Sequence, residues 1–492
     1  MNVLVSVTDK RNIEKLVHYL IEHNHTVYAT SGTKKYLEER NVKNVKDIES
    51  LTNFKEILEG RVKTLHPTIF GGILARTDQM EELKKLGIKP IDMVIANLYD
   101  FKNAQDDEKE LVENIDIGGV ALIRAAAKNY ERVTVITDPN TYDEIIKELD
   151  EKGYIDIEKR KELAVRAFLY TSWYDSYIFN RFWNKFYKSN IPPGISFSSM
   201  LYQNLKYGEN PQNPAGFYSD SKPWVLLKGK DISYNNILDM DSAYSLVNEF
   251  EEPTVAIIKH GNPCGVSSGE NIEKIYDQAF LADAMSAYGG IIGVNFKVNE
   301  SFAKKMKNNF YELIVAPEYD EKSLEFFNKY KKDLRVVKYE NINDYHEIRN
   351  VAGGFLYQLK PKYEIEWKVV SDRKPDKREE EDLKFAWNVV KHVKSNAIVF
   401  AYNKTTTGIG AGQMSRVDAV KIASMKAGER AKNSVMASDG FLPFVDDVEE
   451  AAKAGITAII QPGGSKRDDE IIKRANELNI AMVFTGKRAF SH

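Results

Sequence analysis

Short apolar, β-branched runs that stop at polar or glycine-containing turns recur along this chain of 492 residues, and they restrict it to layered α/β architecture. Val3-Leu4-Val5-Ser6-Val7 reads as a buried parallel strand, and Thr8 to Asn12 lead into Ile13, Leu16, Val17 and Leu20, the spacing of one helix face. Strand, turn and helix in that order open a βαβ unit. His25 to Ala29 is the next strand, and the turn Thr30-Ser31-Gly32-Thr33 behind it can aim backbone N–H groups at an anion. With no G-x-G-x-x-G pattern, the expected ligand is a monophosphate rather than a dinucleotide. Pro90 to Ala96 reads as a third strand, ending at Asn97-Leu98-Tyr99, and Val133 to Thr137 as a fourth.

Composition sets the outer limits. The length predicts about three packed units. A hydrophobic content of 43%, a charged content of 29% and a net charge of −3 describe a globular chain with no bulk attraction for nucleic acid. The single cysteine, Cys264, excludes an intramolecular disulfide framework and a multi-cysteine zinc site. No run reaches the ~18 apolar residues of a membrane span, and Met1 to Ser6 lacks the basic start of a signal peptide. A cytoplasmic protein acting on small molecules is the expectation.

Within the first 195 residues, Arg61-Val62-Lys63-Thr64-Leu65-His66-Pro67 packs cations, a hydroxyl and an imidazole into a stretch that reads as a loop, continued through Gly71-Gly72. It suits either a ligand or solvent. Ile115 to Asn129 reads as a Gly-Gly turn opening an alanine-rich helix, with Asp116 before its start and Lys128 at its end. These two can be chemical groups, or simply a cap and a charge complementing the helix dipole. Residues 141–188 read as mostly helical, their aromatics Phe168, Tyr170, Trp173, Tyr174, Tyr177, Phe179, Phe182 and Trp183 marking core or a partner interface rather than a ligand site.

Ile191-Pro192-Pro193-Gly194 breaks the chain, and a new unit is expected from near Phe197. Lys206 to Pro211 reads as a loop and Tyr234 to Asp239 as a turn into a helix. The strand Thr254 to Ile258 then runs into Lys259-His260-Gly261-Asn262-Pro263-Cys264-Gly265, read as a turn broken by Pro263 and Gly265. A lysine and a histidine together supply two proton-transfer groups, and the ammonium favours the neutral imidazole. Ser286 to Gly290 leads into the strand Ile291 to Val294, and Glu312 heads the run Leu313 to Pro317. The charged stretch from Lys360 to Asp382 reads as a solvated connection. Leu383, Trp387 and Val390 mark a helix face, Ser395-Asn396 precede the strand Ala397 to Ala401, and Thr407 to Arg416 reads as a glycine-rich loop suited to an anion. The same succession of helix, polar turn and strand in both parts is what an internal duplication produces, although no sequence repeat accompanies it.

Taken in order, RVKTLHP, IDIGGVALIRAAAKN, KYGENP, KHGNPCG, SAYGG, GIGAGQMSR, SDGFLPF and QPGGS resemble the bifunctional purine-biosynthesis family PurH, and the resemblance covers nearly the whole chain. Members join an IMP cyclohydrolase to an AICAR transformylase. The resemblance implies an α/β chain with a methylglyoxal-synthase-like, Rossmann-like parallel sheet domain at 1–195. Two cytidine-deaminase-like α/β transformylase subdomains follow at 196–360 and 361–492. It implies that a formyl group passes from 10-formyltetrahydrofolate, as co-substrate, to the 5-amino group of AICAR, and that the product FAICAR loses water to become IMP. No metal is implied, and members are homodimers with transformylase sites between subunits.

The resemblance assigns formyl transfer to Lys259, His260 and Asn396, with Lys206, Tyr207, Ser415, Arg416, Phe441 and Arg488 on the nucleotide and Gly289 and Glu312 at the folate. For ring closure it assigns Lys63, Tyr99, Asp116 and Lys128 as the catalytic group, with Ser6, Thr8, Lys10, Thr30, Gly32, Thr33, Arg61 and Thr64 on phosphate and sugar. An amine conjugated to its ring is a weak nucleophile, hence the base; cyclisation needs a proton removed and an oxyanion stabilised. The chain departs from the family at Lys206 in place of arginine, which loses a bidentate fork, at Gln212-Asn213 in place of His-Gln, and at Asp100 and Ala284 in place of proline. These departures leave room for a modified pterin as the one-carbon carrier. They also admit a chain with only the cyclohydrolase active, or a nucleotide-binding regulator without turnover.

Overall fold

The first apolar run becomes the middle strand of a five-stranded sheet. In the computed structural model, which describes residues 1–187, 191–221, 223–340, 346–359 and 364–492, the strands β1 (Asn2–Ser6), β2 (Thr26–Ala29), β3 (Lys46–Asp47), β4 (Met93–Ala96) and β5 (Thr134–Ile136) pair in parallel in the order β3-β2-β1-β4-β5. Val3, Leu4 and Val5 are all fully buried, so both faces of β1 are covered, as an unbroken apolar strand requires. Helix α1 (Ile13–Glu22) buries Ile13, Leu16, Val17 and Leu20, the four positions its spacing selects. This unit spans Met1–Ser199.

Two local expectations change here. Ser31, Gly32 and Thr33 are the first turn of α2 (Ser31–Glu39) rather than a turn before it. Gly71 and Gly72 lie inside α3 (Pro67–Leu74), where Pro67 takes the first helical position its fixed φ suits. A Cβ on Gly72 would lie 2.6 Å from the Lys89 carbonyl oxygen, so this glycine serves close packing rather than a loop. Two further helices, α4 (Gly118–Lys128) and the long α5 (Ile157–Phe186), complete the parts of this unit that concern function.

The second unit, Met200–His492, is built on a twelve-stranded sheet. Its first six strands are β6 (Trp224–Lys228), β7 (Thr254–Lys259), β8 (Asn262–Ser268), β9 (Ile291–Val294), β10 (Leu313–Ala316) and β11 (Arg335–Tyr339). The other six are β12 (Lys368–Val369), β13 (Ile398–Tyr402), β14 (Thr405–Gly410), β15 (Val435–Ser438), β16 (Ala458–Gln461) and β17 (Ala481–Phe484). The order β12-β17-β16-β15-β13-β14-β8-β7-β9-β10-β11-β6 reads the same from both ends once each of the first six is matched with its counterpart. The directions match too: each half has an antiparallel hairpin, an antiparallel step to the next strand, two parallel steps and an antiparallel edge. The duplication hinted at by the order of elements is thus present in the topology, with β8 and β14 pairing antiparallel at its centre.

Helices α6 (Tyr234–Val247) and α7 (Ile272–Ala282) flank the first hairpin in sequence, as α8 (Lys377–Val390) and α9 (Arg416–Ala427) flank the second; α10 (Val445–Ala454) follows β15. Four readings need correction. Pro263, Cys264 and Gly265 belong to β8, so the turn is only His260-Gly261; Pro263 is tolerated because the β7–β8 register shifts between it and Gly265. Thr407 to Gly410 are buried strand, and Cβ atoms on Gly408 and Gly410 would lie 2.1 Å and 2.0 Å from carbonyl oxygens of α9. These glycines admit a helix against a strand. The stretch from Lys360 to Asp382 includes residues outside those described, but Lys368 and Val369 form an edge strand, and Glu379 and Asp382 are buried in α8. Arg373 grips Glu379 at 2.8 Å and 3.0 Å, and Arg378 holds Asp382 at 3.0 Å, which lets both carboxylates leave water. Tyr234 starts its helix directly, capped by Ser233. Among the described residues no helix is long and apolar enough to cross a membrane.

Candidate active sites

In the Met1–Ser199 unit the strand order reverses between β1 and β4, and the loops at their carboxyl ends flank a crevice where ligands of such sheets collect. Asn97 ties the two loops together: its Oδ1 accepts the N–H groups of Thr8 (2.6 Å) and Asp9 (2.8 Å), and its Nδ2 donates to the Asp9 carbonyl. Beside it, the Thr33 hydroxyl is tied to both the N–H and the carbonyl of Val7, and Thr30 donates to Thr33 at 3.2 Å. These bonds fix the start of α2 next to the loop carrying Thr8 and Lys10, and the space around the Gly32 Cα is open. Free N–H groups and the positive end of the dipole make this an anion seat.

Lys63 reaches the same place through Glu56, which lies 3.8 Å from its Nζ and accepts from Ser31 at 3.2 Å. Thr64 is buried against the start of α4: a Cβ on Gly118 would lie 2.6 Å from its hydroxyl. Asp116 accepts the Gly119 N–H at 2.7 Å, and burial pushes its carboxyl above the usual range against the pull of the Gly119 and Tyr99 N–H groups. The phenol of Tyr99 is raised as well, by burial and then by the Asp116 charge. Thr64, Tyr99 and Asp116 therefore share one corner of this edge.

One of the expected residues stands apart, and another is held in an ion pair. Lys128 closes α4 while Asp116 precedes it, and the eleven-residue helix that ends at Lys128 rises about 16 Å. Arg61 is exposed and paired with Glu113. Conversely, a cavity of about 470 Å³ is lined by Thr8, Tyr99, Tyr170, Trp173, Tyr174 and Tyr177 among others, so part of the aromatic stripe on α5 faces a cavity rather than serving only as core. The Tyr170 hydroxyl accepts the Leu98 N–H at 3.1 Å, and that of Tyr174 the Asp116 N–H at 2.8 Å. Nothing in the aromatic spacing distinguished these tethers from packing.

In the Met200–His492 unit, strand directions carry the expected residues to one sheet edge. The β7–β8 turn with Lys259 and His260, the residues before β13 (Asn396), before β9 (Gly289) and before β10 (Glu312), and those after β14 (Ser415, Arg416), β15 (Phe441) and β17 (Arg488) all lie there. Lys259 donates to the Tyr288 carbonyl at 2.8 Å, next to Gly289, whose φ is 77°. Glu312 accepts from Asn236 of α6 at 2.8 Å, and the Lys206–Tyr207 loop reaches α6 through the Glu209 carbonyl and Asn235 at 3.2 Å. Asn262 Oδ1 accepts the Lys394 N–H at 3.0 Å, joining the first hairpin to the segment that carries Asn396.

Arg416 is the hub of this edge. Its guanidinium donates to Asp439 (2.5 Å), Ser438 (2.9 Å) and Asn396 (2.8 Å), with both members of the ion pair buried. Asp439 also accepts from Ser395 at 2.5 Å. Asn396, Ser415, Arg416 and Phe441 line a cavity of about 430 Å³ together with Phe444, Asp446, Asp447 and Phe490. Arg488 stacks over Phe490 at 4.9 Å. Asp439 and Asp447 were not singled out from sequence: the pairing of one and the burial of the other depend on loops brought together from different strands. Among the described residues no group of three or more His, Cys, Asp or Glu side chains is placed to hold a metal ion.

Two separately packed units, each with a polar ligand edge, describe an enzyme of two activities in one chain. Similarity to known proteins is of the same kind. A family profile described as "AICARFT/IMPCHase bienzyme" matches residues 126–426, and one described as "MGS-like domain" matches residues 12–121. The protein named "Bifunctional purine biosynthesis protein PurH" in Caldicellulosiruptor bescii is 47% identical, with 99% of each chain covered. Its namesakes in Bacillus subtilis (44%) and Persephonella marina (45%) are aligned over equal shares. The chain belongs to the PurH family of bifunctional purine biosynthesis proteins.

Proposed function

We propose that this chain performs the last two steps of IMP formation as a formyltransferase and a cyclohydrolase, with formyl transfer in the Met200–His492 unit and ring closure in Met1–Ser199. The observation that carries the reading is the convergence of Lys259, His260, Asn396, Arg416, Phe441, Gly289 and Glu312 on one sheet edge. His260 takes a proton from the 5-amino group of AICAR as that nitrogen attacks the formyl carbon of 10-formyltetrahydrofolate, and Lys259 stabilises the oxyanion that forms; collapse of that intermediate breaks the formyl carbon–N10 bond, and the proton held by His260 passes to N10 as tetrahydrofolate leaves. Ser415 and Arg416 hold the nucleotide, with Phe441 against its base and Lys206, Tyr207 and Arg488 on its polar rim.

In the other unit the start of α2, with Thr30, Gly32 and Thr33, receives the phosphate beside Ser6, Thr8, Lys10, Arg61 and Thr64. Asp116, its carboxyl raised by burial, removes a carboxamide proton as the nitrogen attacks the formyl carbon, while Lys63 and Tyr99 stabilise the developing oxyanion; that oxygen is then protonated and leaves as water as the former formamide nitrogen loses its proton and the ring C=N bond forms. Lys128 remains in the catalytic group by resemblance alone. We further read 1–195 as the cyclohydrolase domain, 196–360 and 361–492 as the transformylase subdomains, and the working form as a cytoplasmic homodimer.

Purified protein assayed separately for folate-dependent formylation of AICAR and for cyclisation of FAICAR tests the reading; loss of either activity in the wild type refutes the two-activity assignment. His260→Ala is expected to abolish formyl transfer and leave cyclisation near the wild-type rate. Loss of both, with the fold intact by circular dichroism, would count against separate sites.

A further inference from the structure

The turn that carries His260 is held in an unusual way, and the duplicated half supplies its control. His260 and Gly261 form a two-residue hairpin with φ values of 54° and 70°. Such turns, positive at both central residues, favour Asn-Gly, and a histidine in the first place sits in the left-handed region that side chains avoid. Asp239, on α6, offers one carboxylate to both amides: Oδ1 accepts the Gly261 N–H at 2.6 Å and Oδ2 the His260 N–H at 3.3 Å. Neither N–H has a partner across the hairpin in this conformation, so the carboxylate selects it.

The second half repeats the device at the same sequence separation. Asn403 and Lys404 form the matching turn at φ 49° and 51°, and Asp382, on α8, accepts their N–H groups at 2.9 Å and 2.7 Å. Each aspartate precedes its turn by 21 residues. The surroundings differ. Asp382 is buried and paired with Arg378, and the Lys404 ammonium is tied to Glu252 at 2.7 Å and Glu381 at 3.6 Å, so that turn is closed on itself. Asp239 is half-buried and pairs with no cation among the described residues, and the ring of the residue it clamps makes no hydrogen bond there. One copy of the clamp knits the fold; the other holds out a free imidazole.

Resting on the formyl-transfer reading above, we infer that Asp239 is a positioning residue: by fixing the two turn amides it sets the direction in which His260 presents its ring to the amine. The test compares three variants of the full-length protein. In Asp239→Ala the His260 and Gly261 amides should lose hydrogen-exchange protection. The kcat for formyl transfer should fall about 10- to 100-fold, as a misplacement near 1 Å costs, with nucleotide KM within about threefold and cyclisation unchanged. Asp239→Asn, which keeps one acceptor, should recover part of that kcat. Asp382→Asn should lower the melting temperature while leaving formyl-transfer kcat near wild type. Full kcat in Asp239→Ala, or an equal loss of kcat in Asp382→Asn, overturns the inference and makes both clamps structural. A wild type without formyl transfer refutes the functional reading instead, and the exchange measurement then still decides whether Asp239 holds the turn.

Discussion

Asp447 stands at the third position of α10, 1% exposed, and neither carboxylate oxygen has a hydrogen-bond partner among the described residues. Burial, then repulsion from Asp446, raises its pKa from 3.8 to about 6, against weaker pulls from the Phe444 N–H and Arg416. Because the folded value lies above the unfolded one, its favourable contribution is complete below the unfolded pKa and is lost as pH rises through about 6. At pH 8 the buried charge then costs about 2–3 kcal/mol, at 1.4 kcal/mol per pKa unit. Asp447→Asn removes the charge at nearly constant volume. The variant should gain that amount at pH 8 relative to its own difference from wild type at pH 4, a shift of about 3–5 °C for a unit of this size. Since the new amide also lacks partners, the change of the gain with pH is the decisive quantity. Thermal unfolding of both proteins at pH 4, 6 and 8, followed by circular dichroism, measures it. A difference in melting temperature that stays constant across that range refutes the argument.

Gly408→Ala puts a methyl group 2.1 Å from the Ala423 carbonyl, so α9 must move off its strand; a loss of about 3 kcal/mol or more is expected in denaturant titrations. Asp116→Asn should cut kcat for cyclisation about 10²- to 10⁴-fold and abolish the acidic limb of its pH–rate profile, leaving formyl transfer intact in the same preparation. Arg416→Lys keeps the charge beside Asp439 but cannot span Ser438 and Asn396 together. The nucleotide KM of formyl transfer should rise about tenfold or more in steady-state assays, with no effect on cyclisation.

Much of the architecture was legible because strand and helix periodicities are local. The four core positions of α1 follow from spacing alone, as do the burial of Leu383, Trp387 and Val390 and the runs that became β1, β4, β9 and β10. Glycine and proline were read less well. Gly72, Gly408 and Gly410 look like loop residues in a linear reading but are needed where a helix meets another backbone, and Pro263 lies within a strand at a register shift. The charged stretch before Leu383 looked solvated because sequence does not reveal that Arg373 and Arg378 would neutralise Glu379 and Asp382 inside the fold.

By itself the sequence determined which elements form, the residue types available for proton transfer and anion binding, and, through ordered motifs, the family to which the chain belongs. Tertiary structure alone decided which of those residues meet. Strand direction carries residues some 230 positions apart to a common edge, while one helix keeps Asp116 from Lys128 within the chain. The paired clamps at Asp239 and Asp382 likewise appear only after folding, because a carboxylate and the two amides it selects are neighbours through packing and not through the chain.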